Sequence, residues 1–427
     1  MIELVNANSV SVPLADKSVH LIVTSPPYFG LRAYGAGDGE IGAEPTPDEF
    51  IEALVTVGRE CWRVLRDDGV MVVNLGDSRD DGVLMGIPHR VKDALVLDGW
   101  RWQDTVIWRK KSAMPESVNG TRWERCRVKV GGGWGEDNPH PSQTGGVNYG
   151  RENKGATEWQ DCPGCPKCEA NDGLVLRRGS WRTTSAHEYI FVFAKRSGYF
   201  ADREAVREAS APASIERMKS GWNGNDQRDY SGGTHNHLAK FIGTEKGMQQ
   251  ALAGANPRSV RTFKATPFKG KHYATFPTTL PEFFIRAFTS EAGVCAECGE
   301  PWARVIGDGG IVMEHGSRKM DEAVDRHVKR ESLTVTGYNT LGFRRTCQHD
   351  APAVPAVVLD PFAGSGSTLI AARQLGRSGI GLDLNLGYIT GVASERLGLN
   401  AVRAWTDGKG KQGETKLDGL PMFEDVG

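Results

Sequence analysis

One segment constrains this chain more than any other: Ala356-Val-Val-Leu-Asp360, then Pro361-Phe-Ala-Gly-Ser-Gly-Ser-Thr368. An apolar β-branched run ends on an acid, a turn with two glycines follows, and residues 368–375 read as a helix. Gly364 and Gly366 let the backbone turn tightly and approach a ligand closely. The helix N-terminus behind them favours a negative group such as a carboxylate. Residues 379–383 read as the next strand, and its last residue, Asp383, can hydrogen-bond ribose hydroxyls. Residues 388–397 give a second helix. Together these segments predict parallel β-α-β units with a ligand at the carboxyl ends of the strands. No lysine precedes Ser367 or Thr368, which argues against a phosphate-cradling P-loop. Alone, such a turn is also compatible with a tight strand-to-helix connection that binds nothing.

The other end of the chain has the same texture. Residues 18–24 are a short apolar run that stops at Ser25-Pro26-Pro27, because consecutive prolines cannot continue a ladder. Residues 47–65 carry apolar side chains at helical spacing, with Asp67-Asp68-Gly69 as the expected stop. Residues 70–75 and 104–108 read as strands and 87–97 as a helix. From residue 112 the chain becomes rich in Gly, Pro, Asn and Trp. The expected organisation is a catalytic half over 1–113, a metal-binding insertion over 114–183 and a core strand in 184–200. A target-recognition region over 201–271 and a cofactor-lining core segment over 272–292 follow. A second metal-binding insertion occupies 293–350, the cofactor-binding half 351–404, and a loose polar tail 405–427.

With 52 Lys and Arg against 53 Asp and Glu the chain carries a net charge of -1, which excludes a globally basic coat protein but not a local basic patch. The run Arg258, Arg261, Lys264, Lys269, Lys271, with Phe263 and Phe268 between, has no acid inside it and is the expected DNA-facing surface. No apolar run approaches the roughly 20 residues of a membrane span. The first 14 residues show no export signal, so a cytoplasmic protein is expected, and its cysteines are better read as metal ligands than as disulfides.

Thr24-Ser25-Pro26-Pro27-Tyr28 follows its strand directly. The Ser25 hydroxyl and the Pro26 carbonyl offer two acceptors to an exocyclic amino group, and Tyr28 offers a flat face to a base drawn out of its stack. Read alone, a double proline after a strand is more often a structural stop. Joined to the Asp360–Thr368 loop, it resembles the S-adenosylmethionine-dependent DNA methyltransferases that modify amino groups. The catalytic segment first and the cofactor segment last resembles their permuted beta group. Thr105-Val-Ile-Trp-Arg-Lys with Met114-Pro-Glu-Ser117, and His272-Tyr-Ala-Thr-Phe-Pro277, are similar to further segments of that family.

The resemblance implies an α/β, doubly wound, Rossmann-like class I methyltransferase sheet with zinc-binding insertions and a target-recognition region. It implies Ser25, Pro26, Pro27 and Tyr28 as the catalytic loop. Thr24, Phe276, Asp360, Phe362, Gly364, Gly366 and Asp383 become the S-adenosylmethionine site. The partner is double-stranded DNA; a cognate restriction endonuclease is compatible with the resemblance, and the sequence does not decide whether one exists. Ser-Pro-Pro-Tyr is associated mainly with N4 of cytosine and Asp-Pro-Pro-Tyr with N6 of adenine, so cytosine N4 is expected and adenine N6 is the alternative. Carbon-5 methylation needs a cysteine nucleophile, usually after a proline, and no cysteine here follows one. Remoter readings are an RNA or protein amino-group methyltransferase, or a zinc-dependent DNA-binding regulator without chemistry.

Cys162, Cys165 and Cys168 recur every third residue, a spacing suited to one tetrahedral ion with Cys126 as the fourth ligand. Cys295 and Cys298, the latter followed by Gly299, with Cys347 and His349, could close a second. Four protein ligands leave no open position, so both ions, expected as zinc, would be structural. Cys61 falls on an apolar helix face and is expected in the core.

Overall fold

The computed structural model describes residues 1–30, 40–111, 118–130, 158–210, 254–264, 276–307, 311–313, 333–335, 340–399, 401–406 and 411–416. Two compact units divide the chain, one of Met1–Lys110 with His187–Gly427, the other of Lys111–Ala186.

The larger unit is built on one sheet. Its strands in chain order are β1 (Ile2–Asn6), β2 (Val19–Thr24), β3 (Leu65–Leu75), β4 (Arg101–Arg109), β5 (His187–Ala194), β6 (Val260–Arg261), β7 (Val357–Asp360), β8 (Ser378–Asp383), β9 (Ala401–Thr406) and β10 (Lys411–Lys416). Their order across the sheet is β6-β4-β5-β3-β2-β7-β8-β1-β9-β10. The six strands from β3 to β9 in that order pair in parallel, whereas β5 runs antiparallel between β3 and β4. Both chain ends therefore contribute to one mostly parallel sheet, and β2 and β7, 336 positions apart at the Thr24–Asp360 contact, are direct neighbours.

Side chains alternate along the strands, which gives the sheet two buried faces. On β2, Ile22 joins one core and Leu21 and Val23 the other. The first core is covered by helices α1 (Pro47–Val64) and α2 (Ile87–Leu97), through Phe50, Leu54, Val57, Val91 and Leu95. Cys61 is 1% exposed there, as its helix face predicts. The second core is covered by α3 (Thr279–Phe288) and α4 (Ser367–Gln374), through Leu280, Phe284, Ala371 and Ala372. Thr46 caps α1 by accepting from the Glu49 N–H, with Pro47 in the first turn.

The structure corrects the sequence reading in two places here. Helix α1 stops at Val64 rather than at Asp67-Asp68-Gly69, because Leu65 already pairs with Val19 of β2. Gly69 lies inside β3, where a Cβ would stand 2.9 Å from the His20 carbonyl oxygen and 2.6 Å from the Leu65 side chain, so this close strand approach requires glycine. Residues 401–406 and 411–416, partly assigned to a loose tail, instead pair antiparallel as the last two strands of the sheet.

The described residues of the smaller unit form two antiparallel ribbons. One pairs Arg122–Arg125 with Leu174–Arg177, the other pairs Arg127–Val130 with Glu158–Asp161. Cys168 is its single deeply buried apolar side chain among the described residues. The predicted segments Met114–Ser117 and His272–Thr275, with Phe268, Lys269 and Lys271, lie outside the described residues.

Candidate active site and metal centres

The two predicted loops leave the carboxyl ends of β2 and β7 side by side. Thr24, 4% exposed, donates from Oγ1 to Asp360 Oδ1 at 2.7 Å. Thr368, in the first turn of α4, donates to Asp360 Oδ2 at 2.7 Å and lies 3.2 Å from the Val23 carbonyl. The Phe362 N–H donates to Asp360 Oδ1 at 3.1 Å. One buried carboxylate thus joins β2, the glycine loop and α4. Burial raises the Asp360 carboxyl from the ordinary 3.8 to about 6, against the lowering effect of its hydrogen bonds from Thr24, Thr368 and Phe362. Thr24 and Asp360, both predicted as cofactor ligands, turn these polar groups towards the protein.

The glycine loop is held from every side. Ser9 donates to the Pro361 carbonyl at 2.5 Å, Arg396 to the Ser365 carbonyl at 2.6 Å, and the Ala363 N–H to Leu382 at 2.7 Å. Gly364 and Gly366 have φ of 48° and 76°, in the left-handed region that favours glycine. A Cβ on Gly366 would stand 3.2 Å from the Leu397 side chain. Asp383, at the end of β8, accepts from Gly364 N–H at 2.8 Å and from Asn385 N–H at 2.9 Å. Burial pushes its carboxyl above the ordinary range, and those two N–H groups pull it back. Phe362 and Phe276 are half-buried against opposite cores.

In the Thr24–Tyr28 loop, Pro26 is buried while Ser25, Pro27 and Tyr28 are half-buried. Beneath it lies a polar network that sequence reading missed. The Tyr28 hydroxyl donates to Glu188 Oε2 at 2.7 Å, and Asn74 Nδ2 lies 2.7 Å from the same oxygen, 3.0 Å from the Tyr28 hydroxyl and 3.4 Å from Ser25 Oγ. Lys110 pairs with Glu188 Oε1. Asn74 and Glu188 are 2% and 7% exposed. Their signal in the sequence was a lone polar residue in an apolar strand, Val70-Met-Val-Val-Asn74 and Glu188-Tyr-Ile-Phe-Val. Gly76 leaves room for the tyrosine, since a Cβ there would meet its ring at 2.7 Å.

Both predicted metal sets come together, with the ligand atoms of each within 4.8 Å of one another. In the smaller unit, Cys165 Sγ is 3.9 Å from Cys126 Sγ and 3.6 Å from Cys168 Sγ. Sulfurs at 2.3 Å from a shared tetrahedral ion stand about 3.8 Å apart, whereas a disulfide holds them at about 2.05 Å. Backbone hydrogen bonds from Lys167 and Cys168 help to hold the Cys165 thiol below its ordinary value, while burial pushes the Cys126 thiol up.

In the larger unit, Cys295, Cys298 and Cys347 face His349. The His349 Nδ1 atom is buried without a hydrogen-bond partner, while Nε2 lies 3.5 Å from Glu297. An orphaned nitrogen among three thiols suits a metal bond, with the second ring nitrogen facing a carboxylate. Gly299, φ 73°, donates to the Cys295 carbonyl at 2.8 Å and closes the knuckle. This knuckle is tied to the sheet. The Val357 N–H donates to His20 Nδ1 at 3.1 Å, leaving Nε2–H to donate to the Gly299 carbonyl at 3.2 Å, and Arg66 donates to the Cys298 carbonyl at 2.8 Å.

Of the expected DNA-facing run, Arg258 and Lys264 are exposed, whereas two other members are engaged within the protein. Arg261 pairs with Glu208 at 2.6 Å and stacks on Phe283 at 4.1 Å, and Phe263 is 7% exposed in the second core. The balancing acid was present, 53 residues upstream, where the sequence run could not reveal it.

Residues 19–298 and 354–395 match the DNA methylase family that groups N6 and N4 amino-methyltransferases. The chain is similar to the type II methyltransferase M.Cfr9I of Citrobacter freundii, 27% identical over 313 residues covering 66% of this chain and 71% of that one. It is similar to the type II methyltransferase M.XycI of Xanthomonas campestris pv. cyanopsidis, 24% identical over 413 residues covering 90% and 83%. Among solved structures it is similar to the cytosine-N4-specific PvuII DNA methyltransferase, with 14% identity and a TM-score of 0.44 over 91% of this chain and 84% of that one. A likeness that distant says nothing of base choice here.

Proposed function

Because the chain belongs to the DNA methylase family of N6 and N4 amino-methyltransferases, we propose that it moves a methyl group from S-adenosylmethionine to the exocyclic N4 of a cytosine flipped out of duplex DNA. The observation that carries this reading is the 2.7 Å bond from Thr24 to Asp360, which ties the Ser25–Tyr28 loop to the glycine loop on neighbouring parallel strands. Ser25, rather than an acid, at the head of its loop supports cytosine; adenine N6 is the second reading.

S-adenosylmethionine supplies an electrophilic methyl on a sulfonium. The residues that fit it are Phe362, Gly364, Gly366 and Asp383, with Phe276 towards its methionine end. Asp383 holds the Gly364 N–H and keeps its carboxylate available for ribose hydroxyls. Asp360 and Thr24 act as positioning residues that fix the loop. The lone pair of a base amine is delocalised into its ring, so nitrogen must become more tetrahedral to attack. Ser25 Oγ and the Pro26 carbonyl accept its two N–H groups and favour that geometry. Pro27 stiffens the loop, and Tyr28 stacks on the extruded base with its ring fixed by Glu188 and Asn74. No covalent bond to the protein is needed.

Each four-ligand set holds one structural zinc, which replaces a hydrophobic core in the smaller unit. The type II names of the relatives support a restriction endonuclease as a partner in the same system. Single-molecule sequencing of DNA from cells expressing the chain tests the proposal. It should show N4-methylcytosine in one short recurring context, and N6-methyladenine there would transfer the reading to the alternative base.

A further inference from the structure

The described tryptophans of the smaller unit, Trp123, Trp159 and Trp181, are 52%, 54% and 73% exposed, so none of them forms a core. Trp123 lies in the ribbon that pairs Arg122–Arg125 with Leu174–Arg177, and Trp181 follows its second strand. Its ladder pairs Leu176 with Trp123 and Arg177 with Arg122, and is continued by the Gly120 N–H to the Ser180 carbonyl at 2.8 Å, next to Trp181. Over residues 118–125 and 174–182 this ribbon carries Arg122, Arg125, Arg177, Arg178 and Arg182 against a single acid, Glu124. Glu124 is shared, pairing with Arg122 and lying 3.4 Å from Arg177. Arg178 is exposed and has no hydrogen-bond or ion-pair partner among the described residues. Such a concentration of guanidinium charge and exposed indole stands out in a chain whose net charge is -1.

We infer that this cysteine-stapled ribbon is a DNA-contacting surface, with arginines on phosphates and Trp123 and Trp181 against the groove. The inference rests on the methyltransferase reading for its choice of partner. Three physical points support it. A two-stranded β-ribbon is one of the two elements that the major groove admits. Phosphate neutralisation demands local positive charge, and five arginines against one acid leave this segment net positive even with Glu124 shared by Arg122 and Arg177. The four-cysteine set holds the ribbon without a core, because the Cys126 N–H donates to the Gly173 carbonyl at 2.8 Å where the two strands end.

The test uses the full chain and a duplex of about 30 base pairs of mixed sequence, with affinity measured against potassium chloride concentration. In Arg177→Gln/Arg178→Gln/Arg182→Gln, the plot of log affinity against log salt should flatten by about 0.9 for each arginine that meets a phosphate. Lysine at the same three positions should restore the slope. Trp181→Ala, at a side chain that bears little packing, should weaken binding at every salt concentration and leave the slope unchanged; it keeps the inference testable if the triple variant fails to fold. Wild-type slope in the triple variant, or wild-type affinity in Trp181→Ala, overturns the inference. So does self-association of the wild type that Trp123→Ala/Trp181→Ala abolishes while DNA binding stays intact, since the ribbon would then seat a second copy. Labelled-methyl transfer to plasmid DNA by the wild type is read in parallel. Its loss would sink the function and leave the salt slopes to judge the ribbon separately.

Discussion

Asp360→Asn is expected to stabilise this protein at neutral pH. Asp360 is 1% exposed, and burial raises its carboxyl from 3.8 to about 6. For an acid raised on folding, the cost is absent below the unfolded value, grows between about pH 4 and 6, and is complete above 6. At about 1.4 kcal/mol per pH unit, keeping Asp360 ionised costs about 3 kcal/mol at pH 7. The hydrogen bonds tolerate the amide. Its Oδ1 would still accept from Thr24 and from the Phe362 N–H. Its Nδ2 would donate to Thr368 Oγ1, freeing that hydroxyl to donate to the Val23 carbonyl, now 3.2 Å away and competing with Asp360 for one hydrogen. The net gain should be about 1–3 kcal/mol, or a few degrees in melting temperature for a unit of this size. Melting both proteins from pH 4 to 8 isolates the residue. The difference should be near zero at pH 4, rise towards pH 6 and then stay flat, and cofactor affinity should change little. Asp360→Ala, which leaves the Thr24 hydroxyl and the Phe362 N–H without their acceptor, should be less stable at every pH. A pH-independent difference, or an amide variant less stable than wild type at pH 7, would refute this reasoning.

Tyr28→Phe removes the hydroxyl that donates to Glu188 and should lower kcat about tenfold with little change in cofactor KM; Tyr28→Ala should lose a further 1–3 kcal/mol or so of base stacking, and equal turnover in all three proteins would take Tyr28 out of the site. Elemental analysis of protein purified without chelator should find about two zinc ions per chain, and Cys165→Ser about one, with cofactor binding intact; no bound zinc in wild type contradicts both sites. Arg261→Gln should lower the melting temperature and leave the salt slope of DNA binding unchanged, because Arg261 already pairs with Glu208 and stacks on Phe283; a flatter slope would return it to the DNA-facing surface.

What could be read before folding was whatever nearby residues signal together. Gly364 and Gly366 after an apolar strand announce their turn, and the prolines announce the end of β2. Cysteine spacing pointed to two clusters, and the more distant Cys126 and His349 do gather with them. The Asn74–Glu188–Lys110 network stayed hidden because its members come from three separate strands or their ends, brought together only when β5 inserts antiparallel between β3 and β4. The pairing of Arg261 was hidden for the same reason: its partner Glu208 lies outside the window in which charge was counted. The orientation of Asp360 was also illegible. The motif supplies a carboxylate at the end of a strand, and only the hydroxyls of Thr24 and Thr368 turn it inward.

The central claim is that the loops after β2 and β7 form one methyl-transfer site. A crystal structure of the full chain with duplex DNA and a non-reactive S-adenosylmethionine analogue tests it most directly. The account predicts an extruded base on Tyr28, its amine against Ser25 Oγ and the Pro26 carbonyl, and the analogue's ribose against Asp383. The donor position should lie about 3–3.5 Å from the exocyclic nitrogen. An analogue bound away from Gly364 and Gly366, or a base held more than about 15 Å from the donor position, would contradict it, because no loop movement short of refolding brings such atoms into reacting distance.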